Sequence, residues 1–112
     1  MVDGKLAFTG KLGLDLTVEE GYDAAKIACV NALAILKSEL GSLDGVKRIV
    51  KVTGYVASAP DFYDQPKVVN GASELLAEVF GESGRHARAA VGCLSLPANT
   101  PVEIEMIVEM SR

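Results

Sequence analysis

Three consecutive stretches decide the fold: Val46-Lys47-Arg48-Ile49-Val50-Lys51-Val52-Thr53-Gly54-Tyr55-Val56-Ala57, the apolar-striped segment that starts around Pro66, and Arg88-Ala89-Ala90-Val91. The first has strand length and is rich in β-branched residues. Ser58-Ala59-Pro60-Asp61 breaks it. The second places Val68, Val69, Ala72, Leu75, Leu76, Val79 and Phe80 at helical spacing, with Asp64 as a candidate cap and an end near Gly81. Gly81-Glu82-Ser83-Gly84 reads as a loop, and residues 88–96 as a strand. A helix between two strands lets them lie parallel in one sheet.

Working upstream, Thr17 followed by Glu20 is a capping box. Val18, Tyr22, Ala25, Cys29, Ala32, Leu33, Leu36 and Leu40 then form one stripe, and Gly41 stands at a C′ position. The pattern predicts a helix over Val18–Leu40. Before it, Lys5-Leu6-Ala7-Phe8-Thr9 reads as a short strand closed by Gly10 and Gly13. Downstream, Pro97-Ala98-Asn99-Thr100-Pro101 is a turn. In Val102–Met110, apolar Val102, Ile104, Met106, Val108 and Met110 alternate with Glu103, Glu105 and Glu109. The last two strands are expected to form an antiparallel hairpin. The expected fold is α+β, a mixed β-sheet with two helices packed on one face. No sequence remains to cover the other face, so burial against further subunits is its natural solution.

The chain has 112 residues, one domain's worth, and is read as a single domain over 1–112. Hydrophobic residues make up 49% and charged residues 23%, which excludes a disordered chain. Eleven basic against fifteen acidic residues leave a net charge of −4. That balance opposes nucleic-acid binding and membrane-surface attachment, both of which favour basic faces. Two distant cysteines and a single histidine supply neither a disulfide framework nor a metal site, and no cofactor is expected. The longest apolar stretch, 27–36, is interrupted by Asn31 and bounded by Lys26 and Lys37, too short to span a bilayer. No leader pattern is visible, so a cytoplasmic protein is expected.

Arg85-His86-Ala87-Arg88-Ala89-Ala90-Val91, then Leu96-Pro97, then Val102-Glu103-Ile104-Glu105 resemble the C-terminal signature of the Rid family, also called YjgF or L-PSP endoribonuclease. Val69-Asn70 and Ile49-Val50-Lys51-Val52 through Val56 agree with it, and the resemblance covers roughly residues 15–109. Asp3-Gly4-Lys5-Leu6-Ala7-Phe8-Thr9-Gly10-Lys11-Leu12-Gly13 before Leu16-Thr17-Val18-Glu19-Glu20-Gly21-Tyr22 is similar to one subgroup. There it usually follows a hairpin with a Ser-Gly pair. Either this chain is a shortened member, or Phe8-Thr9-Gly10-Lys11 occupies the Ser-Gly strand. The N-terminal tyrosine of many members is absent in both readings. A lost hairpin would expose a strand edge and lower thermal stability.

The resemblance implies a chorismate mutase-like fold that trimerises through the free sheet face. Active members hydrolyse enamines and imines derived from amino acids to 2-keto acids and ammonia. Arg88 would hold the substrate carboxylate, Glu103 would position or activate water, and Asn70 would line the site. Ala90 stands where many deaminating members carry cysteine, leaving only its backbone amide as a ligand group.

Arg88 suits a carboxylate because its planar fork donates two parallel hydrogen bonds. On the expected hairpin Arg88 faces Met110 and Glu103 faces Ser95. The two then lie about seven residues, or ~23 Å, apart, so a shared site must combine two subunits. Without the resemblance, Arg88 reads as a solvated strand-start residue. Glu103, Glu105 and Glu109 read as the exposed face of an edge strand. His86 reads as a loop residue with no catalytic role, Cys29 as helix-core filling and Cys93 as a buried strand residue. Three functions follow: an enamine/imine hydrolase, a non-catalytic trimer binding a small carboxylate metabolite, and, least favoured by the acidic charge, a ribonuclease.

Overall fold

A computed structural model describes residues 7–111. Helix α1 spans Val18–Leu40, β1 Val46–Ala57, α2 Gln65–Phe80, β2 Ala87–Cys93 and β3 Val102–Met110. Short 3₁₀ turns occupy Leu43–Gly45, Gly81–Gly84 and Pro97–Asn99. Helix α1 begins where the capping box places it. The Thr17 hydroxyl accepts from the Glu20 amide at 3.2 Å, and the Glu20 carboxylate accepts from the Thr17 amide at 3.0 Å. Gly41 ends it in the left-handed region, at φ 82°. Asp64 caps α2 by position, without a side-chain hydrogen bond to the helix.

The expected N-terminal strand is not seen among the described residues. Lys5 and Leu6 lie outside the described residues, and Ala7, Phe8 and Thr9 adopt no strand. The chain beyond them docks onto the end of β1 instead. The Leu12 amide donates to Ala57 O at 2.8 Å, and Leu12 O accepts from the Ala59 amide at 2.9 Å. The Leu12 side chain is fully buried against Val56 and Val68, and that burial fixes the segment.

The sheet order is β2-β1-β3, with β1 parallel to β2 and antiparallel to β3. The parallel pair joined through α2 is as expected. The expected β2–β3 hairpin is not: residues 94–101 carry the chain past the end of β1 to its far edge. The Pro101 carbonyl accepts there from the Ala57 amide, 2.8 Å away. Burial explains the order. Ile49, Val52 and Val56 of β1 are completely inaccessible, which suits a central strand paired on both edges. The glutamate-bearing β3 suits an edge.

Both helices cover one sheet face. Cys29 and Leu33 of α1, Ile49 and Val52 of β1, and Ala72 and Leu76 of α2 pack as one cluster. Leu12, Ala24, Ala25, Val56, Val68, Val69 and Val102 form a second, adjoining one. The other face is open among the described residues. It carries Thr53 and Tyr55 between Ala89 and Val91 on one side and Glu105 and Glu103 on the other. Val91 and Ile107 are exposed there.

The two cysteines differ in setting. Cys29 is buried, and desolvation pushes its thiol up to about 11. Cys93 lies half-buried on the open face rather than within the core. A thiol disulfide reagent at mildly alkaline pH is therefore expected to modify Cys93 in the native protein, and Cys29 only at the rate of unfolding. Equal native reactivity would contradict this placement of Cys29.

Candidate functional site

Residue 88 is the second of β2 and pairs in register with Val52, so its side chain leaves the sheet on the helix side. It runs under α2, where the Arg88 Nη1 donates to Asn70 Oδ1 at 2.7 Å and to Ser73 Oγ at 3.3 Å. Asn70 and Ser73 are three residues apart on α2 and so share one helix face. The parallel β1–α2–β2 connection brings that face over the start of β2. Asn70, Ser73, Ala77, Gly84, Arg85, His86 and Arg88 line an open pocket of about 350 Å³.

The pocket is cationic. Arg85 is paired with Glu82 at 3.4 Å, but no carboxylate lies within 4.0 Å of Arg88 among the described residues. Asn70 and Ser73 contribute neutral acceptors that orient the guanidinium without neutralising it. Such a group binds a carboxylate or another planar anion. Among the described residues no three His, Cys, Asp or Glu side chains cluster as metal ligands. No helix there is long and apolar enough to cross a membrane.

Of the residues singled out in the sequence, Arg88 and Asn70 meet directly. Ala90 follows on the same face of β2, opposite Gly54, and packs against the core cluster around Val69. Glu103 is elsewhere. It pairs with Tyr55, three positions along β1 from Val52, and so projects from the open sheet face. The ~23 Å hairpin separation is therefore replaced by a different one. Two strand spacings across and three residues along give about 14 Å between the backbones, with the side chains on opposite faces. One chain cannot bring both groups to one small molecule.

His86 does lie in a loop before β2, as read, but in the pocket wall rather than in solvent. Its Nε2 is 2.9 Å from Ser73 Oγ and its Nδ1 is 2.6 Å from Gly84 O. The sequence reading gave no site role to Ser73, Arg85 or His86. The three-residue spacing of Asn70 and Ser73 was the signal that could have found the serine.

A mixed three-stranded sheet with both helices on one face, and an arginine drawn under the second helix, defines a chorismate mutase-like α+β domain. The chain belongs to the YjgF family: the family described as "YjgF/chorismate mutase-like, putative endoribonuclease" matches residues 1–110. It is 47% identical over 104 residues to Protein TCP17 of Trypanosoma cruzi, a match covering 92% of this chain and 65% of that protein's length. Among solved structures, the protein Atu1372 of Agrobacterium tumefaciens, of unknown function, superposes with a TM-score of 0.97 at 51% identity. That match covers 99% of this chain and 70% of the other. A Shewanella oneidensis protein described as a putative endoribonuclease gives 0.94 at 38% identity, covering 97% and 72%.

Proposed function

We propose that the chain binds short imino and 2-keto carboxylates at Arg88 and, as a homotrimer, hydrolyses amino-acid-derived enamines and imines at clefts between subunits. The observation that carries this reading is a guanidinium with no carboxylate partner among the described residues, oriented by Asn70 at 2.7 Å in an open pocket. Glu103 of a neighbouring subunit, docked through the open sheet face, supplies the carboxylate that acts on water. It takes a proton from water as the water oxygen bonds to the carbon of the protonated imine, whose C=N electron pair moves onto nitrogen to give a neutral amine. It returns that proton to the nitrogen as the carbon–nitrogen bond breaks, and the hydroxyl proton passes to the departing ammonia, leaving ammonium and the 2-keto acid.

A second reading, a trimer that binds carboxylates without turning them over, is favoured by Ala90, which offers no thiol at that position. Ribonuclease activity is disfavoured by the net charge of −4. Release of ammonia and 2-keto acid from an imine generated in situ tests the proposal. Turnover by the folded protein is expected. Binding of the keto acid without ammonia release would favour the second reading.

A further inference from the structure

The Arg88 pocket also contains a serine–histidine pair that imine hydrolysis leaves unused. The Gly84 carbonyl can only accept, so at 2.6 Å it selects the imidazole tautomer of His86 that carries its proton on Nδ1. Nε2 then presents its lone pair to the Ser73 hydroxyl, 2.9 Å away. The orienting carbonyl is itself fixed, because Gly84 is buried and packed against the α2 backbone at Leu76. Arg88 Nη1 lies 3.3 Å from Ser73 Oγ, within reach of a negative charge developing on an adjacent oxygen. A hydroxyl, a base beside it, a group that orients the base and a nearby cation are the parts of an activated nucleophile.

We propose that Ser73 and His86 form a nucleophile–base pair that makes this pocket an acyl-transfer site for short activated carboxylic esters. The activity is separate from imine hydrolysis and needs no residue of a second subunit. Ser73 Oγ bonds to the ester carbonyl carbon while its proton passes to His86 Nε2, and the carbonyl electron pair moves to the oxygen facing Arg88. When that pair returns, the bond to the alcohol oxygen breaks and the alcohol leaves with the proton from His86. Water then attacks the acyl-serine, giving its proton to His86. The carboxylic acid is released and His86 returns the proton to Ser73.

The test uses the full chain with p-nitrophenyl acetate and, separately, with a fluorophosphonate. The expected result is a p-nitrophenolate burst stoichiometric with chains, and a covalent adduct that peptide mapping places on Ser73. Ser73→Ala removes both. His86→Asn slows acylation about 10²- to 10⁴-fold. No burst, or adducts confined to lysines and unchanged in Ser73→Ala, overturns the proposal and leaves the pair as a structural tie between α2 and the start of β2. Mapping on the unsubstituted protein decides the matter even if a variant fails to fold. A protein that releases ammonia but takes no Ser73 adduct refutes this inference alone. One that takes the adduct but releases no ammonia refutes only the imine reading.

Discussion

Arg88→Ala is expected to weaken binding of a short 2-keto acid by roughly 100-fold, about 3 kcal/mol, while leaving the fold intact. The loss corresponds to two charge-assisted hydrogen bonds from one planar fork. The fold should survive because Arg88 is exposed on an edge strand and its hydrogen-bond partners, Asn70 and Ser73, are neutral groups at the rim of a pocket. Arg88→Lys keeps the charge but not the fork, so it should recover only part of the affinity. Titration calorimetry with 2-oxobutanoate, beside a thermal melt of each variant, measures both. An unchanged Kd in a folded Arg88→Ala protein would remove Arg88 from the site.

The largest expected effect on stability falls at a glycine that the sequence alone gives no reason to notice. Helices α1 and α2 cross so closely at Gly71 that a methyl group there would lie 2.1 Å from Tyr22 O and 3.2 Å from the Lys26 amide nitrogen. Both are backbone atoms of α1, so no rotamer change relieves the clash. Gly71→Ala must push the helices apart, loosening the cluster of Cys29, Leu33, Ala72 and Leu76 and the Tyr22–Glu74 hydrogen bond that links the helices. A cost of about 3 kcal/mol or more is expected, a fall in Tm of roughly 12 °C or more. Gly41→Ala serves as the comparison. Gly41, unlike Gly71, has positive φ, but nothing lies within 4 Å of its added methyl, so about 1 kcal/mol is expected. Urea unfolding of both variants gives the comparison directly. Equal losses would show that α1 and α2 do not meet as described.

What the sequence revealed and what it concealed divide by range. Helix α1 was legible to its ends, because Thr17, Glu20 and Gly41 act within a few residues of one another. The β-branched run of β1 and the stripe of α2 were equally local. The partner of β3 was not. Alternation specifies that Val102–Met110 has one buried face, but says nothing about which strand it pairs with. The short turn suggested β2, whereas pairing both edges of β1 buries Ile49, Val52 and Val56. The same limit applied to the site. Arg88 and Asn70 were legible through their resemblance to a known pattern. Ser73 and His86, thirteen positions apart, come together only once α2 lies over the start of β2.

The central claim is that Arg88 and Glu103 serve one reaction only across a subunit boundary. Their opposite sheet faces exclude an intramolecular site, so a mixed-variant assay tests the claim most directly. Arg88→Ala and Glu103→Gln proteins are each expected to be inactive in releasing ammonia from an imine. Unfolded together and refolded as mixed assemblies, they should regain a fraction of wild-type turnover, because some interfaces pair an intact Arg88 with an intact Glu103. Mixed assemblies that form but remain as inactive as either parent would contradict the shared cleft.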